Sequence, residues 1–358
     1  MNSELLLTPG PVKIPEEVMQ AMANSNIHHR TNEFEKIFSE TLDLYQELVK
    51  SPTRPIFLAC SGTGAMEASI VNTCNSDDTI LVLEAGKFGE RWCLIAEKLG
   101  LKHEVLKANW GETFDLSLVE EFITKHKDAK LVCCQYCETS TTSLHNAKAL
   151  AELVKKVAPQ MLFILDGITA VGTKAINQSE ANYDILITGS QKALMLPPGL
   201  AIVSCSQLAW DTIQKNNPKS LYFNFLIEKK FHAQNTTAFT PAISLIFALN
   251  ASLKRIFKEG LNNVYSRHQE NSIFLRENLK NLGFKLLAEN CPSPSVTGGY
   301  PPDKIDADQL RKKILSEYGI RIAEGQDSLK GKIIRIGHMG CIDTSDLNRL
   351  IVAIRNIL

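Results

Sequence analysis

No sign of charge dominates this chain. The 39 Lys+Arg are matched by 39 Asp+Glu, for a formal net charge of zero. That balance argues against binding to a polyanion or an anionic membrane surface. Long apolar runs are also missing. Leu131 to Cys134 and Met161 to Leu165 are only a few residues long, where a bilayer-spanning helix needs about 20. The first residues, Met1-Asn2-Ser3-Glu4, have neither a basic stretch nor an apolar one, and Arg355-Asn356-Ile357-Leu358 is not a recognised address, so the cytoplasm is the expected location. Nine cysteines, an odd number scattered over 358 residues, do not make a disulfide scaffold, and reduced thiols are expected. The eight histidines show no HExxH or other metal-binding spacing. Cys134-Gln135-Tyr136-Cys137 has CxxC spacing but no second pair, and its first cysteine falls in an expected buried strand, so both read as core cysteines and no metal is expected. Internal repeats and low-complexity linkers are absent as well.

What the chain does have is the composition of a folded protein, 44% hydrophobic and 22% charged, at a length that suggests two domains. Short aliphatic runs recur at Ile56–Ala59, Ile80–Leu83, Lys130–Cys134, Leu162–Leu165, Ile185–Thr188 and Ala201–Ser204. Helical periodicity lies between several of them, at Glu33–Val49, Gly64–Val71, Glu90–Lys98, Leu116–His126 and Ala147–Val157. Strands alternating with helices predict an α/β fold with a largely parallel sheet covered on both faces. Two long helical patterns, one from Pro241 and one from about Tyr265, lead to a smaller α+β unit. It has strands at Phe284–Ala288, Ile320–Ala323 and Lys332–Ile336, a Pro/Gly-rich loop at Pro292–Pro302 and a closing helix at Thr344–Ile357. The expected division is an N-terminal segment, residues 1–14, a large domain, 15–250, and a small domain, 251–358.

In open α/β sheets ligands bind at the carboxyl ends of the strands, and four loops there draw attention. Ser61-Gly62-Thr63-Gly64-Ala65-Met66-Glu67 is a small-residue turn opening into a helix, either a phosphate cradle or an ordinary strand-to-helix turn. Glu138-Thr139-Ser140-Thr141-Thr142-Ser143 places five hydroxyls in succession, which also suits a solvated turn. Asp166 directly follows the run Met161–Leu165, either as a helix cap or as the partner of a buried cation. Thr188-Gly189-Ser190-Gln191-Lys192-Ala193 precedes Pro197-Pro198-Gly199; a lone loop lysine is usually a surface charge. Together, a desolvated amine, a carboxylate and an anion cradle are the parts of a Schiff-base site, and the combination is far more specific than any one part.

These motifs are similar to those of a known family. TPGP at Thr8–Pro11, SGTGAMEA at Ser61–Ala68, GKFGERW at Gly86–Trp92, ETST at Glu138–Thr141, the Asp166 strand end, GSQKAL with PPG, TPAISL at Thr240–Leu245 and RIGHMGC at Arg335–Cys341 resemble the class V aminotransferases. The resemblance is strongest to the alanine-glyoxylate and serine-pyruvate group, and it covers essentially the whole chain in order. It implies the type I fold of pyridoxal-phosphate enzymes: a seven-stranded, mostly parallel sheet, a smaller C-terminal domain and a homodimer with shared active sites.

The resemblance also implies roles for particular residues. Lys192 would bond to the aldehyde of pyridoxal 5′-phosphate and later move the substrate Cα proton, while Asp166 would pair with the ring nitrogen. Phe88 and Ile168 would cover the two ring faces, and Ser140 would lie near the ring hydroxyl and the substrate. Thr63, Gly64, Ala65 and Gln191 would hold the phosphate, with Thr240 reaching in from the second subunit. Arg335 would take the substrate carboxylate and Gly10 would line the mouth. The implied reaction passes an amino group from a small amino acid to a 2-oxo acid by a ping-pong route. Relative to the animal enzymes, Ala65 stands in place of His and Thr237 in place of Tyr, which bears on cofactor affinity and substrate choice. His29-Arg30 resembles a pair found in microbial members, but a solvated loop suits it better than a substrate role; His338 suits either a substrate neighbour or a packing histidine. A lyase or desulfurase on the same fold would need a mobile thiol, for which Cys341 is the nearest candidate. A non-catalytic subunit that kept the fold is the remaining alternative.

Overall fold

A computed structural model describes residues 4–358; the first three positions of the expected N-terminal segment lie outside the described residues. The large sheet has seven strands: β1 (Ile56–Leu58), β2 (Thr79–Glu84), β3 (Lys102–Lys107), β4 (Leu131–Gln135), β5 (Leu162–Asp166), β6 (Ile185–Gly189) and β7 (Ala201–Cys205). Their order is β1-β7-β6-β5-β4-β2-β3, and only β7 runs antiparallel to its neighbours. The α/β expectation is borne out, and the reason lies in the pleat. Successive side chains of a strand point to opposite faces, and here both faces are covered. Leu81, Leu83, Val132, Phe163, Leu165 and Leu186 enter one core with helices Asn32–Val49, Leu116–Lys125, Ala147–Val157 and Ile243–Glu259. Ile80, Val82, Leu131, Cys133, Ile164 and Ile187 enter the other with helices Gly62–Thr73, Lys87–Lys98 and Gln207–Asn216. Each strand therefore reads as an unbroken apolar run. Strand β3, with the sequence KHEVLK, is the exception and escaped the periodicity reading. It is the sheet edge, where charged side chains discourage pairing with another chain.

A third core gathers Leu275, Leu279, Leu310, Ile314, Ile334, Leu347 and Ile351. It fills the space between helices Leu261–Asn281, Ala307–Tyr318 and Thr344–Ile357 and an antiparallel sheet. That sheet is made of β8 (Lys285–Leu286), β9 (Val296–Tyr300), β10 (Ala323–Glu324) and β11 (Ile334–Gly337), in the order β8-β9-β11-β10. The expected loop at Pro292–Pro302 thus contains an interior strand. Gly298 and Gly299 suggest a chain break in the sequence, but a Cβ on Gly298 would lie 2.9 Å from Thr142 Cγ2; glycine here marks close approach of another segment. The single strand expected at Ile320–Ala323 is two: Ile320–Arg321 pairs with Leu5–Leu6, whereas Ala323–Glu324 pairs with β11. Leu5 and Leu7 belong to the third core, so the N-terminal segment begins there before turning toward the large sheet. Helix Ile243–Glu259 continues without a break through position 250. Among the described residues, no helix is long and apolar enough to cross a membrane.

Candidate active site

The C-terminal ends of β1, β2, β4, β5 and β6 open on one side of the sheet, and the loops that follow them carry the predicted residues. Lys192 comes three residues after β6 and is only 9% exposed. Its Nζ donates a hydrogen bond to the Pro9 carbonyl. Burial pulls the amine down to about 8, opposed by Cys137 and Asp166 and reinforced by Arg335 and Arg91. Gly10, at φ +116°, closes against it, and a Cβ there would meet Lys192 Nζ at 2.8 Å. The TPGP turn thus meets the buried lysine, a contact the sequence did not disclose.

Asp166 is the last residue of β5 and is 5% exposed. Burial raises its carboxyl to about 6, opposed first by the Ile168 N–H that donates to Oδ1 at 2.9 Å, and raised further by the charge of Glu138. Ile168 lies against Gly62 and Gly189; a Cβ on Gly62 would fall 2.3 Å from Ile168 Cδ1. Helix Gly62–Thr73 begins beyond Ser61, whose side chain makes no cap. The Ala65 N–H already donates to the Ser61 carbonyl at 3.2 Å, which leaves the N–H groups of Gly62, Thr63 and Gly64 without an intrahelical partner at the helix start. The Oε1 of Gln191 is buried with no hydrogen-bond partner among the described residues.

Arg335, on β11, is 6% exposed. Its Nε donates to the Glu324 carbonyl at 2.8 Å and its Nη1 to the Thr139 carbonyl at 2.9 Å. Burial brings the guanidinium down to about 10, opposed by Glu138 and Glu324. No carboxylate pairs with it among the described residues, so it is a fixed cation available to an anion.

Three residues that sequence reasoning did not assign stand in this cluster. Glu138 is fully buried and accepts from the N–H groups of Phe88 at 3.0 Å, Gly89 at 2.9 Å and Ser140 at 3.0 Å, and from the Ser140 hydroxyl. Gln135 donates to the Phe88 carbonyl at 2.9 Å. Arg91 lies 4.7 Å from the centroid of the Phe88 ring and donates to Thr63 Oγ1 at 2.9 Å. The signal for Glu138 and Arg91 was their place inside the ETST and GKFGERW motifs; nothing in the sequence showed that the two motifs touch.

Other candidates stand apart. Thr240 is exposed and lines a groove with Tyr222 and Phe239. Thr237 donates to the Phe239 carbonyl at 2.7 Å. Arg30 donates to Thr236 Oγ1 at 2.6 Å, and His29 packs on His28 with ring centroids 4.6 Å apart. His338 is fully buried, its Nε2 lies 3.0 Å from Thr297 Oγ1, and burial pushes it down to about 3. Cys134 and Cys137 are buried free thiols, and Cys137 donates to Ser293 Oγ at 3.2 Å.

A family model described as Aminotransferase class-V matches residues 5–348. A relative named soluble hydrogenase 42 kDa subunit, from Anabaena cylindrica, is 34% identical over 99% of this chain and 93% of its own. The L-aspartate–glyoxylate aminotransferase of Paracoccus denitrificans is 32% identical over 94% of this chain and 86% of its own. The crystal structure of an alanine–glyoxylate aminotransferase from Nostoc sp. superposes with a TM-score of 0.94 at 28% identity, covering 100% of this chain and 96% of that one.

Proposed function

The chain belongs to the class V aminotransferases, and on that premise we propose that it moves an amino group from a small amino acid, such as serine or alanine, to a 2-oxo acid such as glyoxylate or pyruvate. The proposal includes a ping-pong cycle, pyridoxal 5′-phosphate as cofactor and a homodimer with shared sites. The observation that carries it is the buried Lys192, with Asp166 and Arg335 within electrostatic reach and Gly10 closed against its amine. The names of the Paracoccus and Nostoc proteins support glyoxylate as acceptor.

The residues present fit the cofactor. Glycine at positions 10 and 62 lets the backbone close directly on Lys192 and Ile168, where a Cβ would collide with either side chain, and the start of helix Gly62–Thr73 carries N–H groups with no side-chain cap, as an anion requires. Pyridoxal phosphate, when bound, supplies an aldehyde for the amine and a ring that accepts the electrons left when the substrate Cα–H bond breaks. Asp166 holds a negative charge for the ring nitrogen. Phe88 and Ile168 would hold the ring, Ser140 would lie near its hydroxyl, and Gly10 would narrow the mouth. Thr63, Gly64 and Gln191 would receive the phosphate at the helix start, with Thr240 completing that contact from a second copy; Ala65, expected to share in it, has its N–H committed to the Ser61 carbonyl and offers no donor of its own. Arg335 orients the substrate carboxylate through charge-assisted hydrogen bonds. Lys192 Nζ, lowered to about 8, exists partly as a free amine near neutral pH and moves the proton released at Cα.

The name of the Anabaena relative motivates a second reading, a subunit that keeps the fold without catalysis. Buried Lys192, Asp166 and Arg335 oppose it, since groups kept only for structure are rarely ionisable and desolvated together. A desulfurase is opposed by Cys341, whose Sγ lies 3.6 Å from the Lys13 carbonyl and whose thiol burial pushes up. The deciding experiment is Lys192→Ala: the visible absorbance of bound cofactor and turnover are both lost, and normal turnover in this variant rejects the assignment. A spectroscopic half-reaction screen over amino acids then identifies the donor.

A further inference from the structure

The buried carboxylate of Glu138 is assigned no part in that chemistry, yet it is the most heavily bonded acid of the site. Taking a carboxylate out of water costs several kcal/mol unless its oxygens are satisfied. Here both oxygens are. Oε2 accepts from the N–H groups of Phe88 and Gly89, at the start of helix Lys87–Lys98, and Oε1 accepts from the N–H and hydroxyl of Ser140. Ser140 Oγ in turn accepts the Lys87 N–H at 3.0 Å. Phe88 is held from its other side by Gln135, which donates to its carbonyl at 2.9 Å.

A helix start ordinarily needs only a Ser, Thr, Asp or Asn at the N-cap, which satisfies the same donors without a buried charge. The N-cap here is Gly86, and that simpler solution is sterically closed. A Cβ on Gly86 would lie 2.4 Å from Ser140 Oγ and 2.7 Å from Glu138 Cδ and Cγ. The space a capping side chain would use is occupied by the loop after β4, which thereby meets the helix start directly.

We propose that Glu138 is a positioning residue of the active site: its carboxylate locks the Phe88 backbone to Ser140, fixing the Phe88 ring that faces the cofactor. The same bonds direct the Ser140 hydroxyl proton to Glu138, so Ser140 presents only a lone pair to a bound group. The inference rests on the cofactor assignment above and adds to it a residue that acts through two others.

The test is a double-mutant cycle on the cofactor-free protein, titrated with pyridoxal 5′-phosphate and read by absorbance and visible circular dichroism. Glu138→Gln keeps the shape of the side chain but turns one acceptor into a donor facing N–H groups. It is expected to weaken cofactor affinity about tenfold and to change the dichroism of what binds. In a Phe88→Leu background the same change is expected to cost less than about threefold, because the ring it positions is gone. Amide hydrogen exchange at Phe88 and Gly89, measured without cofactor, should accelerate in Glu138→Gln. Unchanged affinity, or an equal loss in both backgrounds, overturns the positioning role while leaving the aminotransferase reading intact. Failure of the unaltered protein to take up the cofactor overturns both.

Discussion

Gly10 lies so close to Lys192 that a Cβ built on it would stand 2.8 Å from both Nζ and Cδ of the lysine. The two residues are 182 positions apart, and the contact exists because Leu5 and Leu7 are held in the third core. The chain is thereby delivered to the large sheet at a fixed point.

Gly10→Ala tests that contact. The residue sits at φ +116°, which L side chains rarely adopt, and the new methyl collides with the lysine. Strain of about 1–3 kcal/mol is expected, displacing the turn and lowering cofactor affinity by roughly tenfold or more. A titration of the cofactor-free variant checks this; wild-type affinity would show that the turn yields without cost.

Asp166→Asn removes the charge proposed to face the ring nitrogen. Turnover is expected to fall about 10²–10³-fold, the usual loss when a pre-oriented electrostatic partner is deleted. In the unaltered protein, burial raises this carboxyl to about 6. The charged partner is therefore lost as pH falls through that value, and cofactor association with the empty protein should slow in step. Asp166→Asn should abolish this acidic limb, as measured by stopped-flow absorbance between pH 5 and 8.

Arg335→Lys preserves charge but not the planar fork. Nε and Nη1 are directed to the Glu324 and Thr139 carbonyls, a geometry an ammonium cannot reproduce. Both the amino acid and the 2-oxo acid should bind more weakly, with KM rising by about tenfold to a hundredfold. Steady-state kinetics on each half-reaction would reveal it, and unchanged KM for both would assign carboxylate binding to another cation.

His338→Gln separates packing from chemistry. Burial holds His338 at about 3, against an ordinary 6.5. Below 6.5 the unfolded chain takes up a proton that the folded chain refuses, so the unfolded state is favoured as pH falls toward 3. Per pH unit the loss from this one group is about 1.4 kcal/mol. The glutamine variant should keep its activity at neutral pH and show a shallower fall in stability between pH 6.5 and 4, read from urea midpoints. A large loss of turnover would instead place His338 beside the substrate.

Much of the site was legible because its chemistry follows strands. Asp166 ends an apolar run, and Lys192 sits between small residues after another; both positions are set by local pattern and by the rule that strand ends open onto ligands. Strand β9 was not legible, since Gly298 and Gly299 mimic a loop until Thr142 is seen packed against them. Glu138 was hidden for a related reason. Within its own segment it reads as one more polar residue of a hydroxyl-rich turn, and its four donors are contributed by Phe88, Gly89 and Ser140.

Alternation of apolar strands with amphipathic helices was enough, by itself, to determine the layered α/β architecture, because burial on both faces leaves a periodic trace in the chain. The glycines, the lysine and the carboxylate, taken together, pointed to the amine-based site proposed above. Which residues touch across 28 to 196 positions was decided only by tertiary structure: Glu138 with Phe88, Arg91 with Thr63, Arg335 with the Thr139 carbonyl. Such contacts depend on how separately patterned elements pack, and periodicity within one segment carries no record of its neighbours.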